Sequence, residues 1–497
     1  MIVGIDVGTQ SLKAVVTNSA LKLRGRAAQA YKPSFPRPGW AEQHPGLWER
    51  ALGPTIAAAL AAAGAEAREI EALGICGQLD GCVPVNDRGQ AAGPCLIWID
   101  RRAEAETASV PAETVRRIGG LVLDASHMAA KIRWLKRQGD PSIRRFHQPV
   151  SYLVERLTGR AVMDHALAST SMVYSLKARC YDPVLLDFFG IREAELPVLA
   201  GAADAAGPLS QHGAALTGLP AGIPVAVGTG DDFSTPLGAG VVDPGPVVVV
   251  LGTGEVVGAI HPQPTIDRES LVETHAYPGG AFLIENPGWL CGGALAWLKE
   301  LLGVKDFTAL DRLAEEAPPG ADGLLFLPAL TGAMAPEWVP GARGCFYGLT
   351  PAHGRAHWAR ALLEGCAFAM RDVTDRLAQM GIATDSILLL GGGAKSRVWG
   401  QIRADLTGLT VQLPDEADSS PIGAAMLAAV AAGRLADLHQ AAGLIRGAGR
   451  TLPPIPAHRA TYDEAYGRYG RLFAALKPLY EPATTNAPPS SGLRAGA

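Results

Sequence analysis

Two short stretches of this chain carry the same chemical device. Gly4-Ile5-Asp6-Val7-Gly8-Thr9-Gln10-Ser11 and Val250-Leu251-Gly252-Thr253-Gly254-Glu255 each run an apolar strand into a Gly-Thr turn and out again into apolar residues, as a β-hairpin would. A turn with little side chain and a free hydroxyl exposes backbone N–H groups that can hold phosphate oxygens. One such turn is commonplace. Two, one in each half of the chain and the first with Asp6 in its strand, imply a duplicated nucleotide clamp and phosphoryl transfer from ATP. A second acidic pair, Asp231 and Asp232 in Gly228-Thr229-Gly230-Asp231-Asp232, follows the apolar run Ile223 to Val227. Its carboxylates therefore fall at the C-terminal end of a strand, where α/β proteins bind ligands; for Asp232, capping the next helix is an equal alternative. The turn Gly391-Gly392-Gly393-Ala394-Lys395 lacks the GxGxxG spacing of a dinucleotide site. It reads either as a further ligand loop or as a tight turn needed for packing alone.

The elements that must position these residues alternate between strand and helix, which favours an α/β architecture. Trp358, Leu362, Cys366, Ala369, Val373, Leu377 and Met380 recur at steps of three and four, predicting a helix from Arg355 to Met380 with one buried face and Gly381 as its stop. A buried strand is predicted from Ile387 to Leu390, then a helix capped by Ser396 and ending at Gly408. Another helix is predicted to start with Ser420 as cap and Pro421 in its first turn. Its glycine-alanine run Gly423-Ala424-Ala425 leaves one face bare enough for a flat ring or another backbone. Arg459 to Leu476 reads as a terminal helix, and Pro482 to Ala497, rich in Pro, Ser, Gly and Ala, as a disordered tail.

Composition narrows the class. With 497 residues, 48% hydrophobic and 19% charged, the chain suffices for two or three globular domains. A net charge of −4 gives no reason to expect a nucleic-acid partner, and no apolar run reaches the length of a membrane span. The seven cysteines are scattered, with neither CxxC pairs nor His at metal spacing, and are expected to pack as thiols in a reducing, cytoplasmic compartment.

Taken together, these segments resemble the FGGY family of carbohydrate kinases, and within it the xylulokinases. The resemblance runs from Ile2 to about Gly433. It rests on IVGIDVGTQSLKAVV at the start, PGWAEQHPGLW at Pro38 to Trp48, GICGQLDG at Gly74 to Gly81, IWIDRR at Ile97 to Arg102, VGTGDDF at Val227 to Phe233, LGTGEVVG at Leu251 to Gly258 and LLLGGGAKSRVWG at Leu388 to Gly400. It implies an actin-like or hexokinase-like ATPase fold of two ribonuclease H-like domains around a cleft: an N-terminal domain over 1–243 and a C-terminal domain over 244–481, with the break near Gly240 to Pro246. By the same resemblance, Asp231 is the general base toward a sugar hydroxyl and Asp6 holds Mg2+. Thr9, Gln10, Ser11, Gly252 and Thr253 bind the phosphates of ATP, and Gly391, Gly392, Gly393, Ser396 and Gly423 form the adenosine site. Gln78, Leu79, Asp80, Gly81, Asp100, Arg102, Asp231 and Asp232 face the substrate. Lys13 reads as a residue beside the phosphate turns or, the preferred reading, as a solvated strand residue. Dimers occur among relatives, so a homodimer is compatible.

The departures fall where the family reads its sugar. The segment Gln78-Leu79-Asp80-Gly81 stands where xylulokinases usually carry Met-His, Asp232 where they carry Asn, and Thr331 to Pro336 where relatives often carry Gly-Glu-Arg-Thr-Pro. Carboxylates only accept hydrogen bonds when ionised, which suits sugar or polyol hydroxyls. The expected reaction is ATP-dependent phosphorylation of D-xylulose to D-xylulose 5-phosphate. Another ketopentose or a polyol such as ribulose, erythritol, ribitol or glycerol is the alternative, and a catalytically dead sugar and ATP binder the alternative of a different class. Repressors and chaperones on the same scaffold need an N-terminal helix-turn-helix or a peptide-binding domain that the sequence does not offer.

Overall fold

The computed structural model describes residues 1–416, 419–447 and 449–480; the expected tail lies outside them. Two seven-stranded sheets organise the chain. The first contains β1 (Ile2–Val7), β2 (Ser11–Thr17), β3 (Leu23–Ala30), β4 (Ala72–Gly77), β5 (Ala205–Pro208), β6 (Pro224–Ala226) and β7 (Thr229–Gly230). Its spatial order is β5-β6-β4-β1-β2-β3, with β7 also on β4. The second contains β8 (Pro246–Leu251), β9 (Gly254–His261), β10 (Glu273–Ala276), β11 (Phe282–Leu290), β12 (Ser386–Leu390), β13 (Thr410–Leu413) and β14 (Arg450–Leu452), in the order β10-β11-β9-β8-β12-β13-β14. The repeat is topological: β1-β2-β3 and β8-β9-β11 are antiparallel meanders, and β4 and β12 lie parallel against β1 and β8. Both predicted hairpins are therefore present, each at the start of its own sheet.

Central strands buried on both faces read as continuous apolar runs; β1 and β4 are buried throughout. The helices that matter for the site are α1 (Met128–Gln138), α2 (Asp231–Gly238), α3 (Arg355–Gln379), α4 (Arg397–Thr407) and α5 (Ser420–Ala431). α3 and α4 follow the periodicity argument closely. Ser396 Oγ accepts the Trp399 N–H and Gly408 closes α4 in a left-handed conformation, so both cap residues are as predicted. The helix Arg459–Leu476 also forms as expected.

The start of α5 differs from expectation. Ser419, not Ser420, precedes the helix, and its hydroxyl donates to the Thr235 carbonyl (2.7 Å) while Ser234 Oγ donates to the Ser420 carbonyl (2.8 Å). These serines tie α5 to α2 instead of capping α5. The fit is steric. A Cβ on Gly4 would lie 1.9 Å from the Pro421 carbonyl oxygen, on Gly74 1.9 Å from that of Ala424, on Gly238 2.0 Å from that of Ser419, and on Gly423 2.1 Å from that of Ser234. Gly4 and Gly74 sit side by side in register. Four missing side chains thus let α5, which comes from the second half of the chain, lie directly on the first sheet beside α2.

Candidate active site

Parallel register builds the site. β1, β4 and β7 place Asp6, Cys76 and Thr229 level with one another, so the chain leaves all three strands at the same edge. Two residues past Thr229, Asp231 and Asp232 become the first residues of α2, with Gly230 before them in extended conformation. Lys13, opposite Asp6 on β2, carries its Nζ 3.6 Å from Asp6 Oδ2; it belongs to this edge and is not the solvated strand residue expected. Burial pushes the Asp231 carboxyl up to about 7, Asp232 adding to it, while backbone N–H groups and Lys13 work the other way. Burial and then Asp80 push Asp232 up to about 6. A carboxylate poised near neutrality at a sheet edge is suited to accepting a proton from an alcohol.

The first hairpin turn is braced from outside. Gln43 Nε2 donates to the Thr9 carbonyl (2.6 Å), Gln78 Nε2 to Gln43 Oε1 (2.6 Å), and Trp98 Nε1 to Thr9 Oγ1 (3.0 Å). Among the described residues the backbone amides of Thr9, Gln10 and Thr253 meet no partner within the chain, which leaves both turns with donors for an anion. The second turn is held from beneath: Glu255 forms a fully buried ion pair with Arg403 of α4 (Nη2 to Oε2 2.8 Å) and accepts from Cys291 Sγ (2.8 Å). α4 begins at the glycine loop 391–395, so this pair couples the hairpin to that loop. Within the loop, a Cβ on Gly391 would lie 2.6 Å from the Leu251 carbonyl oxygen and one on Gly393 2.6 Å from the Leu251 side chain, whereas Gly392 faces open space.

Beside Asp231, the acceptor side of the site is lined with titratable groups. Asp80 takes a left-handed conformation (φ 58°). Its N–H is fixed by Gln148 Oε1 (2.9 Å), its carbonyl by Lys131 Nζ (2.7 Å), and its carboxylate lies 3.3 Å from His127 Nδ1. Facing it from the second sheet are Glu273 and His275 on β10 and Glu285 on β11. No motif singles out His127, Glu273, His275 or Glu285, and Lys131 falls in the Ala130 to Arg137 segment with nothing to mark it as a site residue. His127 and Lys131 lie about 140 residues before Glu273, His275 and Glu285, and the two groups meet through the docking of β10 on the first lobe.

Several expected site residues do other work. Asp100 is wholly buried and accepts from the Ala41 N–H (2.6 Å) and from Arg102 Nε and Nη2 (2.9 and 2.7 Å). Arg102 also pairs with Glu42 (2.7 Å) and lies 3.7 Å above the Trp40 ring. Both are spent on each other and on the Pro38 to Trp48 segment, so neither is free to grip a substrate. Leu79 packs near Gly230, and Gly81 is required where Pro149 and Cys95 approach. Gly423 is sealed against Ser234, so its bare face admits a helix backbone and not an adenine ring. Ser396 donates to Asp311 (2.9 Å) besides capping α4.

Comparison with known proteins fits this geometry. The N-terminal domain of the FGGY family of carbohydrate kinases matches residues 1–238 and its C-terminal domain residues 247–432. The chain is 30% identical to the xylulose kinase of Escherichia coli strain K12 over 96% of its own length and all of the relative. It is 30% identical to a glycerol kinase of Gloeobacter violaceus over 87% of this chain and 88% of that one. The structure of a xylulose kinase from Rhodospirillum rubrum superposes with a TM-score of 0.88 at 30% identity, covering 96% of this chain and 99% of the other. This chain belongs to the FGGY family of carbohydrate kinases: a phosphotransferase acting on an alcohol group, with the two-domain actin-like ATPase fold. Among the described residues no helix is long and apolar enough to cross a membrane.

Proposed function

We propose that the protein transfers the γ-phosphoryl group of ATP to a terminal hydroxyl of D-xylulose, giving D-xylulose 5-phosphate, with Asp231 as general base. The observation that carries this reading is the position of Asp231: it opens α2 at the edge where β1 delivers Asp6 and the first phosphate turn, and burial keeps its carboxyl near neutrality. In a loose phosphoryl-transfer transition state the hydroxyl proton leaves late, so the carboxylate chiefly orients the attacking oxygen. The first lobe, through about residue 243, holds the acceptor, and the second holds the nucleotide at Gly252, Thr253 and the Gly391 to Gly393 loop. Relatives of full length that are named xylulose kinases support the sugar, and the chain's equal likeness to a glycerol kinase keeps other ketopentoses and polyols as the second reading.

Mg2+ fits the residues present. Asp6 offers a hard oxygen donor at the edge of the first phosphate turn, as suits an ion that arrives on phosphate and keeps much of its water. When bound, it neutralises charge on the transferring phosphates. A reducing cytoplasm suits the seven free cysteines.

The test is ADP release with MgATP over D-xylulose, D-ribulose, L-ketopentoses, xylitol, ribitol, D-arabinitol, erythritol and glycerol. Slow hydrolysis alone and strong stimulation by D-xylulose is the expected result, since lobe closure on the acceptor excludes water. Silence across the panel would remove D-xylulose and the other panel members as acceptors and leave an untested sugar or a catalytically dead sugar and ATP binder, and Asp231 would be examined next.

A further inference from the structure

The strand β10 belongs to the nucleotide lobe's sheet, yet it is hydrogen-bonded to the other lobe along its length. Glu273 Oε1 accepts the Val122 N–H (2.7 Å), Thr274 N–H donates to the Gly120 carbonyl (3.0 Å), and Ala276 N–H donates to Ser169 Oγ (3.0 Å). This seam brings the side chains of Glu273 and His275 against the acceptor side of the first lobe. His127 stands between Asp80 (3.3 Å) and Glu273 (3.8 Å), and His275 Nε2 lies 3.8 Å from Glu273 and 3.6 Å from Glu285. The His275 ring packs edge-on against Phe233, the residue after Asp232, with centroids 5.8 Å apart. The series Asp232, Phe233, His275, Glu273, His127, Asp80 is thus contiguous and crosses between lobes.

Two features mark this series as built for something besides stability. Asp80, His127, Glu273 and His275 are buried, His275 to 4% exposure, yet most of the imidazole–carboxylate distances exceed hydrogen-bond length. His275 Nδ1 meets no hydrogen-bond partner at all. A buried ring nitrogen without a partner is costly. Hydroxyl groups, which donate and accept at once, satisfy both the carboxylates and the imidazoles.

Resting on the kinase reading above, we infer that Glu273 and His275 are specificity-determining residues contributed by the nucleotide lobe. With Asp80 and His127 they read the hydroxyls of a neutral acceptor other than the one that faces Asp231. The class so recognised is an uncharged ketose or alditol of five carbons or more. Shorter acceptors leave His275 unpartnered, and a sugar acid sets its carboxylate beside Asp80 and Glu273. Burial holds the His275 imidazole below its ordinary pKa, so it meets the acceptor neutral, able to donate through one nitrogen and accept through the other.

The experiment compares kcat/KM for D-xylulose, the five-carbon alditols, erythritol, glycerol and D-gluconate in the intact enzyme, in His275→Gln and in Glu273→Gln, with KM for ATP measured alongside. The expected result is that each variant loses about tenfold or more in kcat/KM for the five-carbon acceptor through KM, changes little on erythritol or glycerol, and keeps its KM for ATP within about twofold. Equal losses on long and short acceptors, or an unaltered ranking, would overturn the inference while leaving the kinase reading intact. Preference of the unaltered enzyme for gluconate over every neutral acceptor would overturn the inference and the D-xylulose assignment together, while leaving the kinase reading intact. Should His275→Gln fail to fold, His127→Gln gives the same readout from the other lobe.

Discussion

Replacing Asp231 by Asn removes a charge that the fold tolerates at a cost, so it should separate function from stability. The folded carboxyl loses its proton near 7 against an ordinary value of 3.8. Between those values the folded state binds more protons than the unfolded one, so this group's contribution is fully present below the unfolded pKa and is lost as pH rises through the folded pKa. The shift of roughly three units corresponds to at most about 4 kcal/mol; water reaching the half-buried group and its coupling to Asp232 reduce this to about 1–3 kcal/mol. The Asn variant should therefore melt only slightly above the unaltered protein at pH 5 and by a few degrees more at pH 8. Acid sensitivity of every other group is common to both proteins and cancels in the difference. Scanning calorimetry at matched ionic strength at pH 5, 6.5 and 8, paired with acceptor-stimulated ADP release, measures both effects. Turnover should fall about 10²–10⁴-fold in the variant, and kcat/KM of the unaltered enzyme should rise with pH through about 7. A melting difference that is flat with pH, or that shrinks toward pH 8, refutes the burial argument; near-normal turnover refutes the assignment of the base.

Other perturbations test other parts of the site. Gly423→Ala should cost about 1–3 kcal/mol through overpacking of α5 on α2 and leave KM for ATP unchanged; a raised KM for ATP with an unchanged melting temperature would return Gly423 to the adenosine site. Arg403→Met strands the Glu255 carboxylate in the interior and should destabilise by about 3–5 kcal/mol while raising KM for ATP; the double replacement with Glu255→Leu should recover most of the stability in a denaturant titration. An Arg403→Met enzyme of normal stability would show that the ion pair does not hold the second hairpin.

The hairpins, helices α3 and α4 and the alternation of strand and helix were legible because each depends on local pattern: an apolar strand into Gly-Thr, a three-four periodicity, a Ser cap and a Gly stop. Asp6 and Asp231 were legible for a related reason, since strand ends in parallel sheets converge. What local pattern could not show is which partner a side chain chooses. Asp100 and Arg102 carry the chemistry of substrate contacts, yet two residues apart they close on each other and on Trp40. Gly423 lacks a side chain for the sake of Ser234, which only the crossing of α2 and α5 reveals. Glu273 and His275 sit in a stretch with no motif, and their place beside His127 comes wholly from a seam between two lobes.

The glycines under α5 also bear on how the chain reaches its folded state. The face of β1 and β4 that carries Gly4 and Gly74 is covered by a helix made near the far end of the polypeptide, and Ile2, Ala72, Phe233 and Leu237 share one apolar cluster with Leu388, Leu390 and Ala425 to Ala429. During synthesis that face of the first lobe has its native cover only once Pro421 and Ala424 have been made. The halves of this molecule are consequently one cooperative object in manufacture, however distinct their two sheets look once assembled.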